Sequence, residues 1–163
     1  MDAFELATTL QTLLSSRRWD GDANNDNTFR KVLVVPDFRE TSAWFDGRMP
    51  ACLIAFGSAQ ADRKMPDILT QVVRVRIWQR LESNESGEAL ILGRNSAATS
   101  SIGQGLLRLE RELAEVMTVL SQTNGVTINQ VYAGATATLI TDERTYGYRD
   151  FRYEAEISTF PDP

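Results

Sequence analysis

The sequence predicts an α+β fold: a twisted, mainly antiparallel β-sheet packed against an N-terminal helix and one long central helix, in one domain over residues 1–163. Three observations carry that expectation. An apolar seam of helical period opens the chain, and a longer one occupies residues 102–120. Between and after them lie short runs with the two-residue alternation of strands, punctuated by Pro, Gly and Asn. No internal repeat or linker-like stretch divides the chain, and 163 residues suffice for a sizeable core.

The first seam consists of Phe4, Ala7, Leu10 and Leu14, with Leu6 and Leu13 beside them. It predicts an amphipathic helix ending near Ser15-Ser16-Arg17-Arg18, where cations suit the negative end of a helix dipole. Asp20 to Asn27 is rich in turn formers and reads as a loop. Arg30–Val35 predicts a short strand closed by Pro36, and Asp37–Pro50 an irregular stretch holding Trp44 and Phe45. Ala51–Phe56 is a further strand, Gly57–Pro66 a polar exposed loop, and Ile68–Leu81 a long strand. Glu82–Gly87 reads as a turn, and Ala89–Leu92 as either a short strand or the lead-in to the next helix.

In that helix Ile102, Leu106, Leu109, Leu113, Val116 and Leu120 step by 4, 3, 4, 3 and 4. Ser101 with Gln104 makes a capping box, and Asn124-Gly125 supplies the stop. Leu107 and Met117 widen the apolar face beyond a coiled-coil seam, which favours packing on a sheet. After Gly125 the period falls to two. Val126–Tyr132 and Ala135–Ile140 read as strands on either side of Ala133-Gly134, and Asp142–Gly147 as a turn. In the last strand, Tyr148–Ser158, Phe151, Tyr153, Ala155 and Ile157 face one way, and Asp150, Arg152, Glu154 and Glu156 the other. The tail Phe160–Pro163 cannot extend a ladder far.

Composition removes several functions. A net charge of −5 does not suit a surface wrapped by polyphosphate, since such binding is driven by counterion release to Lys and Arg. The chain has no histidine, which excludes Ser-His-Asp and Cys-His catalysis and imidazole metal sites. The single cysteine, Cys52, sits in the apolar run Ala51–Phe56 and reads as a buried, inert thiol. Asp142-Glu143 or the Asp150, Glu154, Glu156 row offers carboxylates for magnesium, but exposed strand carboxylates at such spacing more often form a solvated surface. Ser101-Ile-Gly-Gln-Gly105 lacks the third glycine of a dinucleotide fingerprint and the Gly-Lys-Ser/Thr of a P-loop. No catalytic residue, metal or cofactor is therefore expected. Asp2 and Glu5 stand where a signal peptide carries basic residues, and no apolar run approaches membrane-spanning length. Synthesis in a cytoplasm is expected.

The long strand raises the remaining question. Gln71, Val73, Val75, Ile77 and Gln79 share one side and belong to a core beneath a helix. Val72, Arg74, Arg76, Trp78 and Arg80 share the other. Arginines flanking a tryptophan are typical anchors of protein–protein interfaces, and this reading leads over a plain solvated face or nucleic-acid contact. Glu110, Glu112 and Glu115 on the long helix, and the carboxylates of the last strand, are what a neighbouring copy would bring to these arginines.

The order of these elements is itself informative. An N-terminal amphipathic helix, the strand Met49-Pro-Ala-Cys-Leu-Ile-Ala-Phe56, an arginine-bearing strand, a long helix and the closing Tyr146-Gly-Tyr-Arg-Asp-Phe-Arg-Tyr-Glu-Ala-Glu-Ile157 follow in sequence. Over roughly residues 3–158 this layout resembles the tail terminator proteins of long-tailed bacteriophages, and more loosely their tail-completion and neck relatives. The resemblance implies a hexameric ring of identical subunits that caps the tail tube at its head-proximal end, stops tube polymerisation and docks the neck. The implied partners are other copies of the chain, the tail tube protein, a neck or head–tail connector protein and, in a contractile tail, the sheath protein. DNA passes through without being held, no membrane is involved, and the protein resides in the virion after assembly in the host cytoplasm. Under this reading Arg74, Arg76, Trp78, Arg80, Glu110, Glu112 and Glu115 are subunit-interface candidates. Asp150, Glu154 and Glu156 are candidates for a neutral-to-negative lumen. The alternatives are another neck ring subunit, or a monomeric binding module or small enzyme with a cleft beside Trp44-Phe45.

Overall fold

A computed structural model describes residues 1–38, 49–61, 63–81, 87–93, 105–140 and 144–159. The first helix, α1 (Ala3–Ser16), starts with a capping box: Glu5 N–H donates to Asp2 Oδ1 at 2.9 Å, and Asp2 N–H to Glu5 Oε2 at 2.8 Å. Leu6, Leu10 and Leu14 form its buried row. The expected seam through Phe4 and Ala7 is thus rotated, and Phe4 is 76% exposed. The i, i+4 leucine row offers three long side chains to the sheet, whereas a row through Ala7 leaves a gap.

After α1 the chain makes a 3₁₀ turn at Trp19–Gly21 that buries Trp19. Trp19 N–H donates to the Asp26 carbonyl at 3.1 Å and Thr28 N–H to that of Arg17 at 2.8 Å, closing the polar loop into a fixed structure.

Six strands make one mixed sheet: β1 (Lys31–Val34), β2 (Ala51–Ala61), β3 (Ile68–Leu81), β4 (Ile128–Ala133), β5 (Ala137–Ile140) and β6 (Thr145–Ser158). The order is β1-β2-β3-β6-β4, with β5 also on β6; β1 runs parallel to β2 and every other pair is antiparallel. The central ladder pairs β3 with β6 from Ile68↔Ser158 to Leu81↔Thr145 without a break. The other flank of β6 carries β4 opposite Phe151–Ala155 and β5 opposite Thr145–Tyr148. These two strands form one interrupted edge line, and at the break Gly134 N–H donates to the Asp150 carbonyl at 2.7 Å.

Several expected boundaries move. Gly57–Ala61, expected as loop, continues β2 past a bulge, and the Gln71 side-chain amide donates to the Gly57 carbonyl at 2.9 Å. Their small polar side chains are exposed, so no alternation marked them. The turn expected to run to Gly147 gives way earlier, because β6 already begins at Thr145. Ala89–Leu92 lies in a helix, α2 (Gly87–Leu92), and the long helix α3 spans Leu106–Asn124. Gly105, at a positive φ of 81°, is its N-cap, and a Cβ there would fall 2.4 Å from the Gly93 nitrogen. Gly125 (φ 67°) ends α3 as expected. The Ser101–Gln104 capping box, Trp44, Phe45, Asp142, Glu143 and the tail 160–163 lie outside the described residues.

The core fills the space between one sheet face and the helices. Val73, Val75 and Ile77 of β3 and Phe151, Tyr153, Ala155 and Ile157 of β6 pack with the α1 leucines and Leu106, Leu109, Leu113, Val116 and Leu120 of α3. Leu90 of α2 joins them, over Gly147. The α+β architecture with helices on one face is as the sequence predicts.

One polar clasp pins this layer. Glu112 on α3 is 1% exposed; its carboxylate accepts from Arg17 Nε at 2.6 Å and from Asp20 N–H at 3.1 Å. It is therefore no surface carboxylate for another subunit, which corrects the sequence expectation. Removing one partner of a buried charge pair leaves the other uncompensated. Glu112→Ala is expected to cost about 3 kcal/mol in urea-induced unfolding, with Glu112→Gln milder because it keeps an acceptor.

Candidate functional site: the uncovered face of the sheet

The alternation that sends one row of each strand to the helices sends the other row to a face on which, among the described residues, no helix lies. Near β1 this face carries its own apolar cluster: Val35, Met49, Ala51, Leu53, Ala55, Trp78 and Tyr146 are buried, with Phe38 and Tyr148 at the margin. Its focus is Arg76. The guanidinium meets Asp150 through both arms, Nε to Oδ1 at 2.6 Å and Nη2 to Oδ2 at 2.8 Å. It lies 4.1 Å from the Tyr148 ring centre and 4.8 Å from that of Phe38. Trp78 and Tyr148 pack at 4.6 Å between ring centres. A planar, delocalised cation suits a slot between aromatic rings closed by a carboxylate.

Two residues along β3 the surroundings change. Arg74 is exposed, with its guanidinium 5.2 Å from the Phe38 ring centre. Its partner across the ladder is Arg152. Arg152 is half exposed and reaches Glu154 at 3.7 Å. Beside it in register is Tyr132 of β4, 56% exposed. The result is an open patch of two arginines and a tyrosine.

The sequence candidates thus separate. Arg76 and Asp150, assigned to an interface and a lumen respectively, hold each other. Trp78 is buried, and Arg80 is half-buried. Glu110 faces the inner side and pairs with Arg149 at 3.4 Å. Arg74, Glu115 and Glu156 are exposed, and Glu154 is partly so. The β6 outer row is of mixed sign rather than acidic, because Arg152 interrupts it. Sequence reasoning missed Arg152 and Tyr132 as partners of Arg74. Strand register, which the sequence does not state, joins them.

Chemistry elsewhere is sparse. Cys52 is buried, and burial pushes its thiol far above its ordinary 9.0. Burial likewise pushes the Tyr153 phenol up, with the charges of Cys52 and Glu110 adding to the effect. Among the described residues, no group of three or more His, Cys, Asp or Glu is placed to hold a metal ion. An open groove of about 270 Å³ runs between α1 and α3 over Leu13, Val116 and Val119, rimmed by Arg17 and Arg18. It is smaller than ligand clefts of roughly 300–1,000 Å³. No described helix is long and apolar enough to cross a membrane. Compared with known protein families and with curated proteins, the chain matches none.

A double-mutant cycle between Arg76→Ala and Asp150→Ala is expected to give a coupling of about 1–2 kcal/mol, as for a bidentate, partly buried pair. For Cys52, the native protein should resist thiol-specific reagents at pH 8 and react only on unfolding. Because the folded thiol ionises well above its unfolded value, stability is unaffected by it below pH 9.0 and falls as pH rises further. Cys52→Ala should lessen that alkaline decline, measured as the midpoint of urea unfolding against pH.

Proposed function

We propose that the protein is a structural subunit of a homo-oligomeric ring, a hexamer in the assembly its element order resembles, capping the head-proximal end of a bacteriophage tail tube. Its partners on this reading are its own copies, the tube protein and a neck connector. One observation carries the proposal: Arg74 and Arg152 stand directly opposite each other on a sheet face that no described helix covers, beside exposed Tyr132. Like charges directly opposed across a ladder are unfavourable. The nearby carboxylate of Glu154 reaches Arg152 at 3.7 Å. A neighbouring chain that brings carboxylates would turn the repulsion into attraction, and Arg and Tyr are favoured anchor types at such contacts.

Rings are built from unlike patches that close by rotation. Glu115, exposed on α3 in the helical layer, belongs to a different surface from the arginine patch. The carboxylates proposed for the lumen reduce to Glu154 and Glu156, since Arg76 neutralises Asp150. A catalytic reading has less support: histidine is absent, the thiol is buried, and the groove beside α1 holds about 270 Å³.

Light scattering and negative-stain imaging test the proposal. The protein is expected to be a ring in solution, or a monomer that assembles on purified tail tubes. Arg74→Glu combined with Arg152→Glu should leave thermal unfolding nearly unchanged and weaken assembly at least tenfold. A protein that stays solitary both alone and with tubes overturns the reading.

A further inference from the structure

The two margins of the sheet are unlike, and among the described residues both leave strand backbone open. On one side, among these residues, β4 and β5 pair only with β6. From Val126 to Ile140 this margin has no charged residue, in a chain that is 24% charged. It exposes Val131 (49%), Tyr132 (56%), Leu139 (37%) and Ile140 (74%). Natural edge strands are usually guarded by lysine, proline or a covering element.

On the other side β1 covers only Ala51–Ile54 of β2, and β1 itself is capped by Gln11, whose amide donates to the Val32 carbonyl at 3.3 Å. Beyond that point, among the described residues, Phe56–Ala61 pairs with β3 alone. Gly57-Ser-Ala-Gln-Ala61 is exposed and uncharged as well.

These open stretches overlap in height and agree in direction. Ile128–Gln130 of β4 oppose Tyr153–Ala155 of β6, those residues oppose Gln71–Val73 of β3, and these in turn oppose Phe56–Ala59 of β2. Counting the pairings across the sheet, β2 runs parallel to β6 and β4 antiparallel to both.

We propose that β4 of one copy adds antiparallel to the free half of β2 of the next copy, so that the sheet continues from subunit to subunit. The occupant is a second copy because this chain itself supplies the complement: an uncharged, antiparallel edge at the same level on the opposite margin. The contact is heterologous, and equal height makes each step sideways rather than along the strands, which a constant rotation closes into a ring. The inference rests on the ring reading and names the surfaces that form it.

Disulfide trapping tests it. Asn129→Cys is mixed with Ser58→Cys, Ala59→Cys or Gln60→Cys in turn under mild oxidation; buried Cys52 stays silent. Crosslinks are expected only in the mixtures, and a double variant should give ladders up to the closed oligomer. Val131→Lys with Leu139→Lys, both at exposed positions, should weaken association at least tenfold while moving Tm by only a few degrees. If the unmodified protein forms rings but no mixture crosslinks, or if Asn129→Cys crosslinks to itself alone, the edge contact is overturned and the ring survives. If no ring forms with or without tail tubes, both fall.

Discussion

The unbroken β3–β6 ladder is the constraint on which the rest of the molecule depends. Its parity decides which of two incompatible environments each side chain enters. In the observed register Val73, Val75, Ile77, Phe151, Tyr153 and Ala155 face the helices, and Arg74, Arg76, Asp150, Arg152 and Glu154 face away. A slip of one residue would carry into the core either the two guanidiniums of β3 or the guanidinium and two carboxylates of β6, which makes the register strongly specified. Every other strand is placed by pairing with one of these two directly or, for β1, through β2.

The same ladder gives neighbouring arginines opposite fates. Arg76 faces Asp150 and sits among Tyr148, Phe38 and Trp78, so it is part of the protein's own packing. Arg74, one outward position earlier, faces Arg152, touches one ring, that of Phe38, among the described residues, and is exposed. Residue type is identical; the cross-strand partner decides whether the charge is structural or available. An interface read from an arginine-rich strand is therefore a statement about single positions rather than about the strand.

Much of the architecture was legible because it follows from periodicity. The alternation in β6 and the spacing of Leu106, Leu109, Leu113, Val116 and Leu120 in α3 each specify a face, and both are buried; Leu107, read as widening the α3 face, is instead 40% exposed, and Ile102 lies outside the described residues. The failures share physical causes. In α1 two overlapping apolar rows competed, and the choice of Leu6-Leu10-Leu14 over Phe4-Ala7 depends on the surface it meets. Gly57–Ala61 has no alternating apolar side chains, because both its faces are exposed. Glu112 looked like a surface carboxylate because Arg17 and the turn at Asp20 meet it only in the folded chain. The arginine patch is half legible: the sequence singles out Arg74 and places Arg152 on the outer row of the last strand, but only the register sets the two opposite each other.

The Glu112 clasp also bears on how the molecule is made. Its two ends, Arg17 and Glu112, are 95 positions apart. At translation speeds of roughly 5–20 residues per second, α1 emerges about 5–20 s before its anchor exists. Within that interval the strands β1 to β3 supply part of the apolar surface on which Leu6, Leu10 and Leu14 pack, so the helix can settle on the sheet before the buried carboxylate arrives to fix its C-terminal end.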